Sequence, residues 1–175
     1  MNSPLAILTL AHVLVSLVGL GSGFVVLWGL LNNKQCGRWT AAFLITTIAT
    51  SASGFVFPAD RLTPAHLLGI LSLAVLAVAV VAHYQRLLAG RWRVAYAVSA
   101  VTAQYLNFFV LVVQLFLKVP ALKALAPTQT EPVFAVAQLV TLAAFLGVGV
   151  VAAVRSRNGT DTLRPSQALP SRHPR

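Results

Sequence analysis

The chain has 175 residues, of which 58% are hydrophobic and only 9% charged, and it carries a formal net charge of +10. A water-soluble domain holds roughly a quarter charged residues, so the composition excludes an ordinary soluble globule. The positive charge argues against a nucleic-acid partner too, because the Lys and Arg residues sit just outside long apolar runs rather than on one soluble face.

The three acids, Asp60, Glu131 and Asp161, lie between or beyond those runs, and no run has an acid in its interior. An ion buried in hydrocarbon costs several kcal/mol, so long charge-free stretches read as membrane spans. The expected fold is all-α, a polytopic transmembrane bundle of about five helices whose first partner is the lipid bilayer. The first span covers about 4–31 and ends at Asn32, Asn33 and Lys34. No Lys or Arg precedes Lys34, and the apolar run is far longer than a signal-peptide core, so this segment is expected to be a membrane helix. The second span, about 40–57, is rich in Thr and Ser and stops at Pro58. The third, about 64–84, opens with Thr63 as N-cap and Pro64 at the first helical position. The fourth covers about 94–117, and Pro120 closes it; the fifth covers about 132–154. Residues 156–175, rich in Pro, Ser and Arg, are expected to form a disordered basic tail. The loop 118–132 is too short for a domain and has the length of a lid or partner contact.

With the N-terminus outside, Lys34, Arg38, Arg86, Arg91, Arg93 and five tail arginines are cytoplasmic, leaving only Arg61, Lys118 and Lys123 outside. The positive-inside rule favours this orientation, and Trp28, Trp39, Tyr84 and Trp92 then fall at the cytoplasmic interface. Cys36 is the single cysteine, so no intramolecular disulfide forms. Asn158, Gly159 and Thr160 match a glycosylation pattern but lie on the expected cytoplasmic side.

Helix faces carry the remaining information. Thr9, His12, Ser16, Gly19 and Gly23 share one face of the first span. The four-residue Gly19–Gly23 spacing predicts a close helix–helix contact, for which the His12 imidazole is not needed. Thr47, Thr50 or Ser51, and Gly54 place the second span inside the bundle. On the fourth span Tyr96, Gln104, Asn107, Gln114 and Lys118 fall within one arc, which must face protein or water rather than lipid. Interhelical hydrogen bonds explain that arc; so does the wall of a cavity for a polar ligand, quinone or ion. Tyr105, Phe108 and Phe109 lie beside it for stacking on a flat ligand, and Gln138 of the fifth span is placed to complete the wall.

His66 and His83 stand 17 residues apart on the third span, about 25 Å at 1.5 Å per residue, nearly the hydrocarbon thickness. Haem b needs axial ligands on facing helices at matching depth. His12 and His66 are the candidate pair, at about 12 Å and 4 Å into their helices. Hydrogen bonding at the membrane interface accounts for the same histidines without a cofactor. Metal-ligand spacings, paired carboxylates and phosphate-binding glycine loops are missing from the sequence, and with no acid in the spans a carboxylate proton relay is not expected.

The layout and the stretches Tyr105-Leu-Asn-Phe-Phe-Val-Leu-Val-Val-Gln114 and Lys118-Val-Pro-Ala-Leu-Lys-Ala-Leu-Ala-Pro-Thr-Gln129 resemble a group of small bacterial polytopic inner-membrane proteins with no established activity. That resemblance implies a cellular setting, the bacterial inner membrane, and no mechanism. A looser likeness, to small membrane proteins with one histidine in each of two helices, rests on His12 and His66. The expected function is a non-enzymatic binding, passage or complex-support protein, acting with a membrane-protein partner or a second copy of itself. Two alternatives stand beside it: an electron-transfer protein holding haem b or quinone, and a small-solute transporter.

Overall fold

The computed structural model describes residues 3–34, 36–58 and 63–161, with 3 and 159–161 described by their backbone alone. The basic tail from residue 162, with His173, and the segment holding Asp60 and Arg61 lie outside the described residues.

The regular structure of the described residues is helical: α1 (Ser3–Leu31), α2 (Gly37–Ser53) with a 3-10 turn after it (Gly54–Val56), α3 (Pro64–Val80), α4 (Arg91–Lys118), α5 (Pro120–Leu125) and α6 (Pro132–Asp161). Five of these, all but α5, are long and apolar enough to cross a membrane. At 1.5 Å per residue α1 is about 43 Å long, more than the ~30 Å hydrocarbon core demands. Apolar side chains such as Ile7 (67% exposed), Ile45 (67%) and Val140 (64%) point out of the bundle. Water would penalise that surface heavily, whereas lipid is its natural solvent.

Local sequence sets the helix ends. Thr63 has extended backbone, Pro64 starts α3, and the Thr63 N–H donates to Nδ1 of His66 at 3.0 Å, with the Thr63 hydroxyl 2.9 Å from the same nitrogen. This is a capping box with histidine in the third position, and it satisfies a donor that the first turn leaves free. The far end of α3 widens into a π turn, Val81–Gln85. A tight connection follows, in which Leu87, Leu88 and Gly90 take positive φ. Arg155 of α6 donates to the Leu31 carbonyl, one of the acceptors that the end of α1 leaves unpaired.

Helix α4 is the centre of the bundle, packed on α1, α3, α5 and α6, while α1 also lies along α2. Small residues permit this: Ala97, Ala100 and Ala103 are fully buried, so neighbouring backbones come close to α4. One core cluster joins Phe43, Leu44 and Leu76 to Ala79, Ala100 and Ala103, and a second joins Leu27 and Val101 to Phe145. At the opposite end of α4, Val112 and Phe116 pack on Ala126 beneath the stub α5, in a stretch that the sequence presented as a loop. Helix α6 continues past 154 to Asp161, so its final turns lie beyond the apolar run.

Candidate functional site

The polar residues of the spans divide into three groups with different surroundings. In the middle of the bundle, the Gln104 amide is fully buried and donates from Nε2 to the Leu20 carbonyl at 2.8 Å. It occupies the space left by Gly23, where a Cβ would collide with the Gln104 amide. One turn along α4, Asn107 Nδ2 donates to Thr47 Oγ1 at 3.2 Å. Thr47 is itself fully buried, and its hydroxyl would lie 3.2 Å from a Cβ at Gly19. The α1 glycines and the α4 amides therefore form one interlocked contact between α1, α2 and α4. Gln104 Oε1 alone is left without a partner there.

The rest of the α4 arc is dispersed. Gln114 is exposed. Gln138 reaches α4 by donating to the Phe109 carbonyl at 3.3 Å, well away from Gln104 in the chain register. The aromatic residues beside the arc stack on one another, Tyr105 on Phe109 and Phe145, and Phe108 on Phe24 and Phe145. Gln129 also docks on this helix, donating to the Val113 carbonyl at 3.0 Å.

The two histidines proposed as a ligand pair keep separate company. His12 Nδ1 lies 2.8 Å from Ser53 Oγ, and its ring meets Phe57 edge-on. Ser53 Oγ donates its one proton to the Thr50 carbonyl, so His12 Nδ1 is the donor to Ser53 and Nε2 keeps a lone pair. His66 is the converse. Its Nδ1 accepts from Thr63, so the proton of the neutral ring resides on Nε2, and the capped ring offers a metal no lone pair. The His66 ring stacks at a tilt on Phe55, 5.4 Å between centroids.

The third group encloses space. Where α1 and α3 end and α2 and α4 begin, a cavity of about 240 Å³ opens. Lys34, Arg93, Asn33, Thr40, His83, Tyr96 and Ser156 supply its polar lining, and among the described residues no acid contributes. Val26, Leu30 and Leu88 form its apolar back, and Cys36 lies against Gly29 at its edge. The π turn carries the His83 ring to 5.1 Å from the Tyr96 ring, and His83 Nδ1 is buried without a hydrogen-bond partner. Tyr96 and Thr40 share a hydrogen bond of 3.2 Å between hydroxyls. One of the two donates to the other, which leaves one hydroxyl proton available to the cavity. The α2 N-terminus completes the wall, for its N-cap Cys36 makes no side-chain cap, and the first N–H groups of a helix lack internal partners.

Of the residues proposed from sequence as haem ligands or cavity lining, only Tyr96 belongs to this cavity. Asn33, Thr40, His83 and Arg93 come from four different elements, and no periodicity links them. Their one shared signal is position, since all lie near the Trp28–Trp92 end of their spans. Comparison with known proteins returns no matching family model, curated protein or solved structure.

Proposed function

We propose that this chain is a non-enzymatic, multi-pass protein of the bacterial inner membrane that binds a ligand in the cavity between α1, α2, the π turn and α4. The N-terminus lies outside and the cavity at the cytoplasmic face, because the flanking Lys and Arg residues concentrate at that end. The observation that carries the reading is the unpartnered, buried Nδ1 of His83, a residue that lines a space with several further polar groups and, among the described residues, no acid. Buried polar groups in native proteins nearly always have partners, so an orphan at a cavity indicates a missing one.

Cys36 is the single cysteine and lies on the cavity edge, which makes alkylation of this thiol a direct occupancy assay. Detergent-purified protein is treated with a maleimide before and after addition of lipid-soluble and aqueous extracts of its host membrane. Slowing of alkylation by about five-fold or more is expected with one extract. Equal rates in every condition would end the binding reading.

The two alternatives have less support. Passage through the bundle would have to cross the middle, where Gln104 and Asn107 are spent on α1 and α2. Haem ligation would require His66 to leave its cap. A reduced-minus-oxidised spectrum with a sharp α-band, lost in His12→Ala, would place electron transfer ahead of binding.

A further inference from the structure

We infer that the ligand of this cavity is the anionic phosphate of a lipid head group or a free phosphate, held by Lys34 and Arg93. The inference rests on the binding reading above and adds the chemistry of the occupant.

Four observations converge on it. Among the described residues, the only formally charged ones in the lining are the cations Lys34 and Arg93. The neutral polar groups available include several donors: the Asn33 amide N–H groups, the spare hydroxyl proton of the Thr40–Tyr96 pair and the Ser156 hydroxyl. Phosphate is an acceptor for all of them, whereas a cation would be repelled by both charges. The N-terminus of α2, a helix of 17 residues with no side-chain cap, adds a partial positive charge at Cys36. Lastly, the depth suits a head group. The Lys34 ammonium lies 5.0 Å over the Trp28 ring and the Arg86 guanidinium 5.1 Å over Trp92, and such Trp residues mark the membrane interface. Basic recesses between helices on the cytoplasmic side are where anionic head groups are recognised. A volume of about 240 Å³ falls below the roughly 300–1,000 Å³ of drug-sized sites, which suits a head group better than a whole cofactor.

The test uses the full chain in detergent and reads Cys36 alkylation against titrated dioleoylphosphatidylglycerol, dioleoylphosphatidylcholine and inorganic phosphate. Saturable protection by phosphatidylglycerol is expected, at a concentration about ten-fold below that for phosphatidylcholine, whose choline meets the two cations. In Lys34→Gln/Arg93→Gln the half-protecting concentration should rise about ten-fold or more, while circular dichroism and thermal midpoint stay unchanged. Protection by inorganic phosphate as strong as by phosphatidylglycerol identifies a free anion as the source, and protection by phosphatidylglycerol alone identifies lipid. Equal protection by both lipids, or full protection in the double variant, overturns the inference. Protection by a membrane extract but by none of the three probes also overturns it, while leaving the cavity occupied as proposed.

Discussion

Gln104 and Tyr96 stand eight residues apart on one arc of α4, yet their surroundings are opposite. Gln104 meets Gly23, whose missing side chain admits the amide and closes α1 against α4. Tyr96 meets Thr40 and the widened π turn, and a cavity remains beside it. The same helix face thus packs in its middle and borders a cavity at its end. Polarity on a membrane helix says only that lipid is avoided. Whether the group is consumed by a neighbour or left free depends on what that neighbour presents.

The largest effect should come from filling the Gly23 notch. Gly23→Val forces its side chain into the Gln104 amide and should destabilise the bundle by about 3 kcal/mol, as overpacked cores do, read by thermal unfolding in detergent. Gly23→Ala combined with Gln104→Ala should recover more than the separate effects allow, with a coupling of about 1 kcal/mol or more. Strict additivity would mean that the two residues do not share the contact.

Asn107→Leu should have a smaller effect, about 0.6–1 kcal/mol in the same assay, because a membrane hydrogen bond such as that to Thr47 contributes modestly. At the cavity the order reverses. Lys34→Gln or Arg93→Gln should change stability by no more than about 0.5 kcal/mol, while ligand protection of Cys36 weakens. A cation whose removal unfolded the bundle would belong to the packing instead.

The smallest effect lies in the loop before α6. Desolvation is the largest single influence on Glu131 and raises its pKa, but hydrogen bonds from the Thr128 N–H and hydroxyl, together with backbone N–H groups of the same turn, outweigh it and lower the pKa below the ordinary 4.5. A lowered pKa stabilises the loop above that ordinary value, and the contribution disappears as pH falls through the folded one. Hydrogen-exchange protection of the Thr128 amide should therefore be present at pH 6 and reduced at pH 3. Pathological unfolding of the whole bundle over that window is not expected, since Glu131 lies outside the spans.

Much of the architecture is legible in the residues themselves. Five apolar runs without acids become five long helices, and Thr63 with Pro64 starts α3 as read. The small-residue face of α1 does contact its neighbours, at Gly19 and Gly23, and Thr47 is buried as the hydroxyl-rich second span implied. Those features depend on local pattern and on the bilayer as solvent, both of which a sequence carries. The site is different in kind. The α4 arc contained residues that pack, Gln104 and Asn107, one that lines the cavity, Tyr96, and one that is exposed, Gln114, and helical periodicity treats all four alike.

Local sequence was enough to place about five membrane-spanning helices and the start of α3, because hydrocarbon enforces backbone and charge rules residue by residue, but not the short helix α5 or the extension of α6 to Asp161. Only the tertiary structure decided that Gly23 receives Gln104, that a π turn carries His83 to Tyr96, and that Lys34 and Arg93 share one cavity. Helix rotation and contact order set those meetings, and they arise from packing between segments up to 124 residues apart, which no local pattern records.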